Sequence, residues 1–339
     1  MKKTNVTLAP IILFVYNRPW HTQQTIEALQ HCELASESDL YIFADGSKAD
    51  ATEEQKNKIF EVRKYIHTIT GFSSIFIEES EKNIGLANSV ISGVTKVIEK
   101  YGNAIILEDD ILTHPFFLRF MNDALDYYKK DKRIFSIGAF MDDIIIPKEY
   151  KQDVFVCRRV ETQGWATWLD RWSSANWNVS DYTIINHPTQ KQIRQLCKGG
   201  EDLWPLLQMQ AAGTVDSWAA RWQYNLTLSN GYCLRPINTF VNNIGMDGTG
   251  THSGNTLGDN CNLQQQITIW ESHGLPSTPI YNHPQYDIKM VESIEEDCHL
   301  IANLQRHFAI PKTRHNTWRR VKRYIKRAFN HLINTPYDH

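Results

Sequence analysis

Over its first 140 residues the chain alternates short apolar runs, almost free of polar interruption, with longer amphipathic stretches. The apolar runs lie at Pro10–Tyr16, Asp39–Ala44, Ser74–Glu78, Ala104–Leu107 and Ile134–Ile137. They are rich in Ile, Phe and Val, the pattern of parallel strands covered on both faces. Between them the pattern predicts helices over Pro19–His31, Thr52–Thr68, Leu86–Lys100 and Pro115–Lys130. Pro19 and Pro115 suit first-turn positions, where a missing N–H costs nothing. Strand, helix and strand recurring at intervals of roughly 30 residues predict a doubly wound α/β sheet.

In such sheets ligands sit outside the carboxyl ends of the strands, and that rule selects residues. The first strand runs into Asn17-Arg18, the second into Asp45-Gly46-Ser47, and the fourth into Glu108-Asp109-Asp110. Past about Val160 the pattern is less regular, and seven of the ten tryptophans fall between Trp165 and Trp222. Residues 245–258 hold five glycines, the composition of a lid or binding loop.

Charge and cysteine usage narrow the class. A formal net charge of -2 gives the whole molecule no bias toward nucleic acid. The six cysteines are scattered without a CxxC pair, which suits reduced, buried thiols better than a disulfide framework or a zinc site. The run Ile11–Val15 is too short for a signal peptide and reads as a buried strand. No stretch approaches the ~18 apolar residues of a membrane span. A cytoplasmic or peripheral location is expected.

The tripeptide Glu108-Asp109-Asp110 is the sharpest chemical signal. Like charges at the end of a buried strand repel one another unless a cation or hydrogen bonds offset them. A hard divalent ion with oxygen ligands, Mg²⁺ or Mn²⁺ bridging to diphosphate oxygens, is the natural partner. The plainer reading is a solvated acidic loop, or a cap for the turn that follows.

The stretch LEDDILTHPFFLRFMNDALDYYKKDKRIFSIGAF resembles the corresponding part of GT-A-fold glycosyltransferases. It is most similar to the N-acetylglucosaminyltransferase I family and to bacterial transferases that build surface polysaccharides. PIILFVYNRPWHTQQTIEAL, ETQGWATWLDRW and DSWAARWQYNLTLSNGYCLRPINTFVNNIGMDGTGTH add to the resemblance, and together these segments cover most of residues 8 to 255 in family order.

The resemblance implies a GT-A catalytic domain over residues 1–305, an α/β doubly wound mixed sheet. Residues 1–140 form its nucleotide-sugar half; residues 141–305 form a Trp-rich acceptor-side half with a lid over 245–258. It implies that Asp110 binds the metal, and that Asp109 and Glu108 contact its water shell, the ribose or the donor sugar. Arg18 would pair with the nucleotide diphosphate, as a planar guanidinium forks well onto phosphate oxygens; a surface salt bridge is the plainer role. Asp45 would recognise the nucleotide base, unless it is only a turn residue. Asn83 would line the nucleotide pocket.

Inverting transfer needs a carboxylate to take the acceptor proton. The resemblance implies such an inverting reaction and a base just before a tryptophan, which makes Asp216, before Trp218, the choice, with Glu161 and Asp170 in reserve; Asp216 also reads as a helix N-cap. Glu161, Gly164, Trp165 and Trp218 would line the sugar site, where aromatic faces stack on sugar C–H groups. Trp165, Trp168 and Trp172 share helical spacing, however, and such a stripe is more often core. His252 would be a late metal or diphosphate ligand.

The C-terminal residues 306–339 form a separate appendix. Lys312, Arg314, Arg319, Arg320, Lys322, Arg323, Lys326 and Arg327 accompany Trp318, Val321, Ile325, Phe329 and Leu332 on one helical face. A basic amphipathic helix fits an anionic membrane surface, here the inner face of the cytoplasmic membrane. A docked helix and a nucleic-acid patch are the alternatives.

The expected function is therefore metal-dependent transfer of a sugar from a UDP-sugar to a glycan or lipid-linked acceptor in bacterial surface polysaccharide synthesis. A nucleotidyltransferase and a catalytically inactive carbohydrate binder are the competitors. The former wants a glycine-rich phosphate loop near the first strand, and Pro10–Pro19 contains no glycine.

Overall fold

The computed structural model describes residues 8–245, 286, 288–291 and 295–309. Its centre is an eight-stranded mixed sheet. β1 (Ile11–Val15), β2 (Asp39–Ala44), β3 (Ser74–Glu79) and β4 (Asn103–Glu108) run parallel in the order β3-β2-β1-β4. A short β5 (Ile111–Thr113) follows β4. The sheet continues with β6 (Ile134–Gly138), β7 (Val154–Cys157), β8 (Trp165–Trp168) and β9 (Tyr232–Pro236) in the order β4-β8-β6-β9-β7. β8 is antiparallel to both β4 and β6, so β6 and β9 point the same way as β1 and β4. β10 (Val241–Asn243) pairs with β5 in a separate two-stranded ribbon.

The uninterrupted apolar runs have the expected cause. Ile11, Leu13 and Val15 face one side of the sheet, Ile12 and Phe14 the other, and all five are buried. The first face is covered by α1 (Pro19–Gln30), α2 (Glu53–Ile66) and, across the antiparallel strands, α4 (Phe117–Tyr128); the second is covered by α3 (Leu86–Tyr101). Thr52 and Gln55 cap α2 reciprocally, and Gly102, at φ 84°, ends α3 in the left-handed conformation that glycine adopts freely. Pro19 opens α1 as predicted. Pro115 does not open α4: the helix begins at Phe117, and the Pro115 carbonyl instead accepts the Glu33 N–H.

The tryptophan-rich segment departs from its expected helical stripe. Trp165–Trp168 is strand β8, and only Leu169–Trp172 turns into a helix, α5. The short α6 (Thr183–Asn186), α7 (Gln190–Leu196) and α8 (Leu203–Ala211) form a small outlying core with Tyr182 and Tyr224. α9 (Trp218–Leu228) returns to the main sheet, capped by Ser217, whose hydroxyl accepts the Ala220 N–H. Trp165, Trp172, Trp177, Trp218 and Trp222 stack and tilt against one another at centroid distances from 4.4 to 6.0 Å. The last described helix, α10 (Cys298–His307), packs Leu300 and Leu304 on this side.

Among the described residues no helix is long and apolar enough to cross a membrane. Cys32, Cys157 and Cys233 are free and buried as expected, but Cys298 is exposed. Residues 306–309 close α10 rather than begin a new helix. The remainder of the predicted basic tail, and the lid loop beyond Gly245 with its His252, lie outside the described residues.

Candidate functional site at the sheet's switch point

The chain leaves β1 toward one side, to β2, and enters β4 on the other. The gap between the carboxyl ends of β1 and β4 is therefore the topological switch point, where open α/β sheets form their ligand crevice. Arg18 stands at the end of the first strand and Glu108-Asp109-Asp110 at the end of the fourth. The acidic tripeptide is anchored on both sides through its backbone. Thr25 of α1 donates its hydroxyl to the Asp109 carbonyl at 2.9 Å, and the Ile244 N–H donates to the Asp110 carbonyl at 2.9 Å.

Arg18 spans the two aspartates. Its Nη1 donates to Asp110 Oδ2 at 2.9 Å, and its Nη2 pairs with Asp109 Oδ1. Burial alone would lower the Arg18 pKa, but the charges of Asp109 and Asp110 outweigh it and raise it above its ordinary value. Asp109 is raised by burial, against the pull of Arg18. Glu108 is pushed up to about 8, first by burial and then by the charges of Asp110 and Asp109; the Arg18 charge and then the neighbouring Trp218 side chain oppose the shift. Only half-buried by surface area, Glu108 is nevertheless densely surrounded.

A second polar cluster lies on the same rim of the sheet. Arg235, in β9, donates through Nε and Nη2 to the Phe140 carbonyl at 3.0 and 2.7 Å, and pairs with Asp142 at 2.7 Å and Glu161 at 3.0 Å. Arg235 has no exposed surface. Glu161 also accepts the N–H groups of Thr162 and Gln163, each at 2.9 Å, and burial raises its pKa despite Arg235. Its side chain lies against Gly138, where a Cβ would collide with it.

The predicted residues divide accordingly. Arg18, Glu108, Asp109 and Asp110 are brought together, and Trp218 joins them through Glu108. Asp45 is buried with its carboxylate turned inward. Oδ1 accepts the N–H groups of Gly46 and Ile84, and Oδ2 that of Gly85, so it ties the loop after β2 to the start of α3. Asn83 donates to the Gly46 carbonyl at 3.0 Å in the same junction. Gly46 lets these two loops touch, since a Cβ there would fall 2.7 Å from the Lys82 nitrogen.

Trp165 is not an open sugar platform. Its ring is enclosed by Trp172, Trp218 and Trp222 and is 1% exposed. Trp218 is likewise buried, stacked on Trp165 at 5.0 Å. Gly164, at φ 70°, packs its backbone where a Cβ would sit 3.0 Å from Val241. Glu161 is held in the buried cluster rather than presented to a ligand. Asp216 does not cap α9, a task that falls to Ser217; it is exposed and paired with Arg221. Asp170 is paired with Lys132 and Arg171.

Sequence reasoning missed Arg235 and Asp142. A lone arginine in the apolar run Tyr232–Pro236 was the available signal. It also missed Thr25, and His21, which is buried in the first turns of α1.

Among the described residues no three His, Cys, Asp or Glu side chains converge as a ready cation cage. The chemistry of the crevice still fits a hard divalent ion. Asp109 and Asp110 offer oxygen donors only, a positive group already bridges them, and Gly245 leaves Asp110 Oδ2 a space that any Cβ would fill. Mg²⁺-type sites commonly use one or two carboxylates and complete their shell with water and substrate phosphates.

No protein-family model matches the chain, and no curated protein does. Among solved structures it is similar to the mannosyltransferase PcManGT from Pyrobaculum calidifontis, in complex with GDP-Man and Mn²⁺. The two share 9% identity over 65% of this chain and 68% of that one, with a TM-score of 0.37. It is also similar to S. aureus TarS, at 11% identity, over 69% of this chain but only 36% of that one, with a TM-score of 0.36. A UDP-glucose pyrophosphorylase complexed with UDP-glucose shares 9% identity over 68% of this chain and 90% of that one, with a TM-score of 0.33.

Proposed function

We propose that the chain is an inverting GT-A-type glycosyltransferase. It moves a sugar from a nucleotide-diphosphate donor, taken as a UDP-sugar, to a glycan or lipid-linked acceptor, with Mn²⁺ or Mg²⁺ as cofactor. The observation that carries the reading is the pairing of Arg18 with Asp109 and Asp110 across the switch point of the sheet. A crevice offering one guanidinium and two oxygen-donor carboxylates has the charges a cation–diphosphate pair requires.

Asp110, with Asp109, would hold the cation, and Arg18 would fork onto the diphosphate. The cation supplies Lewis-acid stabilisation of the negative charge that gathers on the departing diphosphate. Arg18 adds a donor to the same oxygens as the bond to the sugar breaks. Glu108, whose pKa burial and the two aspartate charges raise, would in its protonated form donate to a donor hydroxyl without adding a third negative charge. Asp216 is the proposed base, drawing the acceptor proton as its hydroxyl attacks the anomeric carbon. It lies two residues before Trp218 and is exposed, and it would have to part from Arg221. Residues 1–305 make up the catalytic domain. The basic tail would place it at an anionic membrane surface beside a lipid-linked acceptor.

The test measures UDP release and melting temperature with a panel of UDP-sugars, with and without Mn²⁺. A true donor at one hundred times its Kd adds about 2.7 kcal/mol of stability. The expected result is metal-dependent UDP release that Asp110→Asn abolishes without unfolding the protein. No stabilisation by any nucleoside diphosphate in the presence of metal overturns the reading. Formation of UTP and sugar 1-phosphate when pyrophosphate is added to the UDP-sugar, with no UDP released, assigns the chemistry to nucleotidyl transfer.

A further inference from the structure

Arg18 and a divalent cation compete for the same oxygens. The guanidinium takes Oδ2 of Asp110 and Oδ1 of Asp109. Gly245 closes the opposite side. A Cβ built there would overlap Asp110 Oδ2 and fall 2.8 Å from Arg18 Nη1, so the chain passes directly over the ion pair. Its position is fixed by two hydrogen bonds, from the Ile244 N–H to the Asp110 carbonyl and from the Gly245 N–H to Asn243 Oδ1 at 2.7 Å. Arg18 and the Gly245 backbone thus both lie against Asp110 Oδ2.

We infer that Arg18 is an internal counter-ion: it holds the acidic pair closed until a diphosphate draws its guanidinium away, so that cation and diphosphate bind interdependently. The inference rests on the transferase reading, because it takes these two ligands as the occupants of the crevice.

Each ligand alone meets an obstacle. A cation that displaces Arg18 takes both carboxylate partners from a mostly buried guanidinium, and breaking such a pair is costly. A diphosphate arriving alone can engage Arg18, since a guanidinium forks onto phosphate as readily as onto carboxylate. It then faces two bare carboxylates of its own sign. Together each ligand removes the other's obstacle. The strengthening must be equal in both directions, because binding free energies are linked. Removing Arg18, nominally a ligand-binding residue, is thus expected to improve binding of the bare cation.

The experiment follows Mn²⁺ binding by loss of the free-ion paramagnetic resonance signal, alone and with UDP or GDP. It uses the full-length wild type, Arg18→Ala, Arg18→Met and Arg18→Lys, with circular dichroism to establish folding. In the wild type the nucleoside diphosphate should tighten Mn²⁺ binding about tenfold or more, and calorimetry should show Mn²⁺ tightening the nucleotide by the same factor. In Arg18→Met or Arg18→Ala, Mn²⁺ alone should bind about tenfold more tightly than to the wild type, with most of the nucleotide's effect lost. Arg18→Lys should restore the coupling in part.

Unchanged or weaker Mn²⁺ binding in the neutral variants, with wild-type Mn²⁺–nucleotide binding intact, overturns the counter-ion role and leaves the transferase reading standing. So does a wild type in which the two ligands bind independently, a measurement that needs no variant to fold. A wild type that binds no Mn²⁺ even with nucleotide present overturns both.

Discussion

Arg18 with Asp109 and Asp110, and Arg235 with Asp142 and Glu161, are the same trio of groups set on the same rim of one sheet. In each a guanidinium joins two carboxylates, and each carries one excess negative charge. Their surroundings differ. Arg235 has no exposed surface, makes two further bonds to the Phe140 carbonyl, and faces a Glu161 whose lone pairs are also taken by backbone N–H groups. Among the described residues Arg18 makes no comparable backbone bond; its side chain is 16% exposed, and it sits where the strand order reverses. The first arrangement locks β6, β8 and β9 together, whereas the second can exchange partners. The kind of charge present does not reveal a binding site; what matters is whether its partners can be replaced.

The largest expected effect separates the two trios by stability. Arg235→Met strands two buried carboxylates and should cost about 3–5 kcal/mol in urea unfolding. Arg18→Met, which leaves more accessible acids, should cost clearly less, and equal losses would erase the distinction. Asp110→Asn should reverse the ranking in activity, lowering kcat/KM about 10²–10³-fold, the size of losing one well-aimed charge stabiliser, with little change in unfolding. Asp216→Asn should cut kcat about 10²-fold while leaving donor binding intact; a changed donor Kd with normal kcat would remove Asp216 from the role of base.

Smaller still is a pH effect. Glu108 keeps its proton up to about 8 in the folded protein but loses it near the ordinary glutamate value when unfolded. Stability from this group is therefore greatest in mild acid and declines as pH rises toward 8. Glu108→Gln should raise the melting temperature by about 2 °C or more at pH 8 and change it little at pH 5. The reverse order would mean that Glu108 is ionised in the fold.

Much of this architecture was legible in the sequence. The runs around Ile11–Val15 and Ile105–Leu107 announced parallel strands because burial on both faces excludes polar alternation, and the strand-end rule then pointed to Arg18 and Asp110. The segment from Trp165 to Trp172 was harder to read. A strand passing into a single helical turn keeps its indoles on one side much as a helix would. Asp45 and Glu161 were equally opaque. A carboxylate after a strand reads the same in sequence whether it faces a ligand or accepts the backbone N–H groups of a loop forty residues away. Arg235 and Asp142 stayed hidden because their pairing spans 93 residues and follows no local pattern.

Trp218 has a consequence for how this molecule can be watched. It lies near enough to Glu108 to influence that carboxyl group, while its ring lies against Trp165 within a block of stacked indoles. Any event that alters the charge at the end of β4 perturbs the excited state of this block directly. Occupancy and protonation of the crevice should thus register in the protein's own fluorescence and near-ultraviolet dichroism, with no attached dye.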